Sequence, residues 1–395
     1  MIAFNKPYMT GKELFYISQA HHNMMLAGDG PFTKKCHQWL EKYTNKALLT
    51  HSCTAALEMA AILSDIRPKD EVIMPSYTFV STANAFVLRG GVPVFVDVRS
   101  DTLNINESLI ENAITDRTKA IVPVHYAGVS CAMDNIMDIA RKHGLLVIED
   151  AAQAVMSAYK GKPLGSIGDF GTFSFHETKN IISGEGGALL CNNEDYSERA
   201  EIIREKGTNR NQFFSGKVDK YTWVDIGSSY LPGEITAAFL WAQIEESEYI
   251  TRQRLKLWNR YHRVFEGLEH AGVVRRPIVP NECSHNAHMY YLLLKDLDTR
   301  TKFISQMKRL GIHCVFHYVP LHLSPAGMRY GREASEFPVT CDIASRIVRL
   351  PLWVGLGSDQ DKVISAVFKV LRTIDDRVSS LSLHACTDLE QEKSV

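Results

Sequence analysis

The stretch Leu145-Leu146-Val147-Ile148-Glu149-Asp150-Ala151-Ala152-Gln153-Ala154 runs from four aliphatic side chains into two carboxylates and then into small residues. An apolar run this short, cut off by charge, is the pattern of a strand buried on both faces. Three similar runs precede it, at 71–75, 92–98 and 120–126. Segments of helical length separate all four. That alternation predicts an α/β fold on a mostly parallel mixed sheet with helices on both faces. In such sheets ligands bind beyond the carboxyl ends of the strands, so Asp150 stands where a site is expected.

After Gln243 the pattern changes. Residues 1–244 read as a large domain and 245–376 as a smaller α+β domain, opening on one long charged amphipathic helix over 245–271. Short strands are expected there at 290–294 and 314–317. Residues 377–395 are polar and weakly periodic, and read as a disordered tail.

With 395 residues, 45% hydrophobic and 23% charged, the chain can bury two cores. Lysine and arginine (44) balance aspartate and glutamate (45), so no global field draws in nucleic acid or an anionic membrane. Any anionic ligand must be held locally. The eight cysteines form no CxxC pair, as expected of reduced thiols in the cytoplasm. Met1–Thr10 carries no secretory pattern, and no apolar run approaches the roughly 18 residues of a membrane span. A cytoplasmic location follows as the expectation.

A second stretch, Phe173-Ser174-Phe175-His176-Glu177-Thr178-Lys179, leads into Gly184-Glu185-Gly186-Gly187. A lysine at a strand end before a glycine turn is suited to carbonyl chemistry, which needs a neutral amine on a fixed backbone. Alone, it is more often a solvated charge, and Asp150 alone is more often a helix cap. Together they are the two parts that pyridoxal 5'-phosphate requires: an acid for the pyridine nitrogen and an amine for the aldehyde. A third part lies at His51-Ser52-Cys53-Thr54-Ala55-Ala56-Leu57, small polar residues running into an apolar helix that ends near Leu63. Its first N–H groups form an anion site, or else an ordinary Ser/Thr cap. Ser174 offers a further hydroxyl, and Phe79 an aromatic face for a planar ring. Spacings such as His313/His317 and Cys283/His285/His288 lack a four-ligand set, so no metal is expected.

These segments, with Gly28-Asp29-Gly30-Pro31-Phe32-Thr33 before them, resemble the DegT/StrS-type sugar-nucleotide aminotransferases over nearly the whole chain, to about Leu371. The resemblance implies the fold-type I, aspartate aminotransferase-like architecture and a homodimer whose active site lies at the subunit interface. It also implies that Lys179 covalently holds pyridoxal phosphate, that Asp150 pairs with the ring nitrogen and Gln153 with the ring hydroxyl, that Phe79 covers the ring, and that Thr54, Ala55 and Ser174 hold the phosphate. Two positions depart from the usual family pattern. Cys53-Thr54 stands where many members have Gly-Thr, and Ser229 where many have an asparagine that reaches the neighbouring subunit's phosphate. One branch of the family replaces the lysine by histidine and removes a hydroxyl. This chain keeps Lys179, which implies amine exchange.

The stretches at 176–180, 204–210, 218–223 and 225–230 resemble the members that act on dTDP-4-oxo-6-deoxy-D-glucose in enterobacterial common antigen synthesis. That narrower resemblance implies L-glutamate as donor and dTDP-4-amino-4,6-dideoxy-D-galactose as product. The glucose epimer, another keto nucleotide sugar, or a non-catalytic regulatory protein on the same fold are the alternatives; no basic face supports the last. Tyr318 and His322 are the candidate contacts to the sugar, and Lys206 and Arg210 the candidate cover for its anionic part.

Overall fold

The computed structural model describes residues 1–378. Ten strands organise it: β1 Lys46–Thr50, β2 Glu71–Pro75, β3 Val92–Val96, β4 Thr118–Ile121, β5 Leu146–Asp150, β6 Phe170–Ser174, β7 Gly187–Cys191, β8 Tyr290–Leu293, β9 Arg332–Glu333 and β10 Ile347–Leu350. Eight of them form one sheet in the order β1-β7-β6-β5-β4-β2-β3-β9. From β6 to β9 all neighbours are parallel, while β7 is antiparallel to both β1 and β6. Hence seven strands point one way and β7 alone points back. The carboxyl ends of β1, β2, β5 and β6 therefore share an edge with the start of β7.

Residues 71–75 and the end of β5 at Asp150 match the expected strands. The expected strand over 120–126 is displaced to Thr118–Ile121. Pro123 explains the stop, because it has no N–H to give the ladder; beyond it only a single bridge joins Val124 to Asp150. Two apolar clusters sandwich the sheet. One contains Leu49, Ile73, Val147 and Phe173, and the other Leu48, Met74, Ile148 and Phe170, as alternation along each strand requires. Helix Cys53–Leu63 has eight of its 11 residues buried, which suits a helix that is small and aliphatic all round.

A further core gathers side chains from Trp258 to Val378 around β8 and β10, which pair antiparallel. The helix expected over 245–271 is interrupted: the chain folds as Glu234–Glu245, Ser247–Val264 and Glu266–His270. Phe265, wholly buried at one break, is packed among Tyr261, Tyr290 and Phe368, and Glu246 at the other pairs with Lys12. Tertiary packing bends the chain at residues that carry no breaker signal. The strand expected at 314–317 reduces to one bridge, Val315 to Arg349. Of the tail expected from 377, only Arg377 and Val378 fall within the described residues, in the turn Asp376–Val378.

Phe265→Ala will lower the free energy of unfolding by about 3–5 kcal/mol, as for other buried phenylalanines. Chemical denaturation checks this, and an unchanged midpoint would show that the ring does not hold the second core.

Candidate active site

Asp150, the last residue of β5, is 5% exposed. Its Oδ2 accepts a hydrogen bond from Thr82 Oγ1 (2.7 Å) and its Oδ1 one from the Ala152 N–H (3.2 Å). Thr82 Oγ1 is in turn 2.8 Å from Thr78 Oγ1. The carboxylate is thus buried, oriented and, among the described residues, left without an ion-pair partner, ready for a cationic group that enters the cleft. Glu149 points to the opposite face, where it accepts from Gly165, Ile167 and Gly168 N–H groups (2.6–2.9 Å) and meets His125 Nε2 at 2.9 Å. That anchorage behind the strand fixes Asp150 in front of it.

Lys179 follows β6 on a loop tied to itself: Phe175 N–H bonds Gly186 O, Glu177 N–H bonds Gly184 O, and Lys179 N–H bonds His176 O (2.8–2.9 Å). Gly184, with φ +82°, supplies the left-handed turn that makes this closure possible. Burial pushes the Lys179 amine below its ordinary 10.5; Cys53 and Asp150 oppose, and Arg349 adds to the lowering.

Ser52 caps helix Cys53–Leu63, its Oγ accepting from Ala55 N–H at 3.1 Å. Thr54 Oγ1 lies 2.8 Å from Ser81 Oγ, and Ser174 ends β6 on the same edge. Gly187, at the start of β7, lies so close that a Cβ there would stand 2.4 Å from the Cys53 nitrogen. Glycine is what lets the reversed strand pass the helix start.

A cleft of about 590 Å³ joins these groups; Thr54, Phe79, Asp150, Gln153, Ser174, Lys179 and Tyr318 all line it. Ala55 is buried behind the cradle, with its N–H on Ser52. Gln153 is fixed at both ends, Oε1 accepting from Ala127 N–H (2.7 Å) and Nε2 donating to Tyr318 Oη (3.0 Å). Phe79 is 56% exposed, with its ring 6.3 Å from that of Tyr318.

Besides Ala55, four expected residues lie outside this cleft. Ser229 is exposed and bridges Glu205. Lys206 and Arg210 both pair with Glu205 at 3.3 Å. His322 turns away because Ser76 Oγ holds its Nδ1 at 2.6 Å and Phe337 stacks on its ring.

Among the other lining residues, Arg254, Arg349 and, from the N-terminus, Phe4 and Asn5 carried no signal in the sequence, while Ser81, Thr82, His288 and His317 stood in stretches that pointed to no role of their own here. His288 and His317 are held neutral, chiefly by burial and then by the surrounding cations. No group of three or more potential metal ligands occurs among the described residues.

The donor set fits a phosphate-bearing pyridine aldehyde. A helix start with hydroxyls takes the phosphate, a buried unpaired carboxylate the ring nitrogen, and a lysine of lowered basicity the aldehyde. The model of the DegT/DnrJ/EryC1/StrS aminotransferase family matches residues 7–368. The chain belongs to this family. It is an aminotransferase that uses pyridoxal phosphate and, at this resolution of class, a sugar aminotransferase.

Among curated relatives, an uncharacterized protein of Methanocaldococcus jannaschii is 38% identical, with 87% of this chain and 90% of that protein covered. GDP-perosamine synthase of Caulobacter vibrioides is 34% identical, with 94% and 98% covered. Among solved structures, Spr1654 of Streptococcus pneumoniae in its PLP form superposes with a TM-score of 0.87 at 26% identity, covering 94% of this chain and 99% of that one.

In the cofactor-free protein, the pH midpoint for adduct formation between Lys179 and pyridoxal phosphate will lie below 10.5. Asp150→Asn will lower it further, since the carboxylate's charge is one of the influences that pull the value upward. A spectrophotometric pH titration of both proteins checks this; an upward shift in the variant would contradict it.

Proposed function

We propose that this sugar aminotransferase moves the amino group of L-glutamate to C4 of dTDP-4-oxo-6-deoxy-D-glucose, giving dTDP-4-amino-4,6-dideoxy-D-galactose and 2-oxoglutarate. The observation that carries the reading is the pairing of Lys179 with Asp150 across one cleft. A histidine at position 179 would favour loss of a hydroxyl instead. The sugar and its stereochemistry rest on the sequence stretches around 204–230.

When bound, pyridoxal phosphate supplies an electron sink for the carbon from which a proton is removed. The chain does the rest. Asp150 keeps the ring nitrogen protonated through a charge-assisted bond, of order 1.5–3 kcal/mol, that strengthens as charge develops. Thr82 and Ala152 hold that carboxylate still. Thr54 and Ser174 hold the phosphate, with Ala55 packed behind them, and Gln153, steadied by Ala127 and Tyr318, meets the ring hydroxyl. Lys179 Nζ takes the α-proton of L-glutamate in the first half and delivers a proton to C4 of the sugar in the second; its lowered basicity suits both directions. Phe79, with its exposed face, covers the ring, and a homodimer in the cytoplasm completes the site. Exposure of Phe79 and the position of Ser229 outside this chain's cleft support a neighbouring subunit there. No helix among the described residues is long and apolar enough to cross a membrane.

The yellow holoenzyme will bleach with L-glutamate and regain its colour with dTDP-4-oxo-6-deoxy-D-glucose, and NMR of the product will show an axial C4 amine. An equatorial amine would assign the glucose epimer, and recolouring only by another keto nucleotide sugar would overturn the substrate. Lys179→Ala will retain cofactor but turn over neither substrate; normal activity in that variant would refute the role of the lysine.

A further inference from the structure

Three cations line the cleft: Lys179, Arg254 and Arg349. Lys179 is occupied with the chemistry. Arg254, 4% exposed, spends its guanidinium on two backbone carbonyls, Nε on Ala287 (3.1 Å) and Nη2 on His288 (2.7 Å). It clamps a turn in which Ala287 takes a positive φ of 51°.

Arg349 is held differently. It lies on β10 opposite Tyr291, and its backbone N–H and carbonyl are both bonded to Val315 (2.7 and 3.3 Å), so the side chain starts from a rigid strand. Phe4 lies under the guanidinium at 4.8 Å. One Nη2 contact reaches Phe316 O at 3.3 Å, and Nε is shielded from water with no partner. No described carboxylate pairs with it, and burial lowers its basicity. A guanidinium partly drawn out of water, with no anion among the described residues, is unfavourable, and is kept where a ligand brings the anion.

The N-terminal segment sets its plane. Ile2 bridges Ile312, Trp353 Nε1 donates to Ala3 O (3.1 Å), Lys6 lies 4.5 Å over the Trp353 ring, and Asn5 Nδ2 reaches Glu177 O (3.4 Å) on the Lys179 loop. Residues 1–6 thus strap the second core to that loop and press Phe4 against the arginine. With its flat face on an aromatic ring, the guanidinium has its edge N–H groups left for a planar, bidentate acceptor.

We propose that Arg349, held in plane by Phe4, binds the α-carboxylate of the amino donor and so positions the donor's amine at Lys179. The inference rests on the transamination reading above. Chemistry decides between the two anions that enter this cleft. The donor's α-carboxylate sits on the very carbon that bears the reacting amine, whereas a nucleotide sugar's pyrophosphate lies across the hexose ring from its C4. Arg349, which lines the same cleft as Lys179, matches the first.

The test separates the half-reactions of the holoenzyme by stopped-flow absorbance. In Arg349→Gln, the second-order rate constant for bleaching by L-glutamate will fall about 100-fold, as when one partner of a hydrogen-bonded charge pair is removed. Calorimetric binding of 2-oxoglutarate to the pyridoxamine form will weaken in parallel. Recovery of colour with the keto nucleotide sugar will change less than about threefold, since that step needs no donor carboxylate. Arg349→Lys will restore part of the loss, and Phe4→Ala will raise the glutamate concentration for half-maximal bleaching with cofactor affinity unchanged.

Wild-type bleaching rates in Arg349→Gln, equal losses in both halves, or loss in the sugar half alone would each overturn the proposal, the last by giving Arg349 to the sugar's anion. If the wild type bleaches but no sugar restores its colour, the substrate reading fails while Arg349 is still judged on the donor half. Should another amino acid prove to be the donor, the same comparison holds, because every such donor carries the α-carboxylate.

Discussion

The Asp150 carboxylate, fixed at the end of β5 and facing Lys179 across a cleft, is the interaction on which the rest of the site depends. A buried carboxylate with no basic partner would be costly unless its oxygens were satisfied and a cationic ligand were expected. Both conditions are built in. Thr82 and Ala152 satisfy the oxygens from the front, and Glu149, bonded to three amides and His125, locks the same strand end from behind. The sheet makes the geometry possible, since one reversed strand, β7, returns Gly187 to the edge where Asp150, Ser174 and Ser52 converge.

Much of this was legible in the sequence because the parts are local. A strand such as Leu146–Asp150 shows itself as an apolar run cut by charge, and the helix start at Ser52 as small polar residues before an aliphatic run. Lys179 and Asp150 could be paired because the chemistry demands both. What sequence reading misses is long-range. The break falls at Phe265, two residues ahead of Gly267, because the ring is drawn into a core made with Tyr290 and Phe368. His322 looked like a sugar contact by its neighbours, yet Ser76, 246 residues away, holds it elsewhere. Arg349 was silent for the same reason: nothing around it in the chain distinguishes an arginine that lacks an anion from one that has it.

Electrostatics give the cleft a division of labour. Its lining combines hydroxyls and a helix start, a carboxylate and a lysine of lowered basicity, and Arg254, Arg349 and two neutral histidines. The neutrality of His288 and His317 keeps that lining from becoming more positive, and their ring nitrogens stay available as hydrogen-bonding groups. The family's reaction needs anionic and cationic atoms of different partners brought to one carbon, and this lining supplies groups for both.

The most direct test of the central claim is the protonation state of the pyridine nitrogen, read by ¹⁵N NMR of holoenzyme loaded with ¹⁵N-labelled pyridoxal phosphate. The account predicts a protonated nitrogen in the wild type and a largely unprotonated one in Asp150→Ala. An unprotonated nitrogen in the wild type, or one that stays protonated without Asp150, would contradict it.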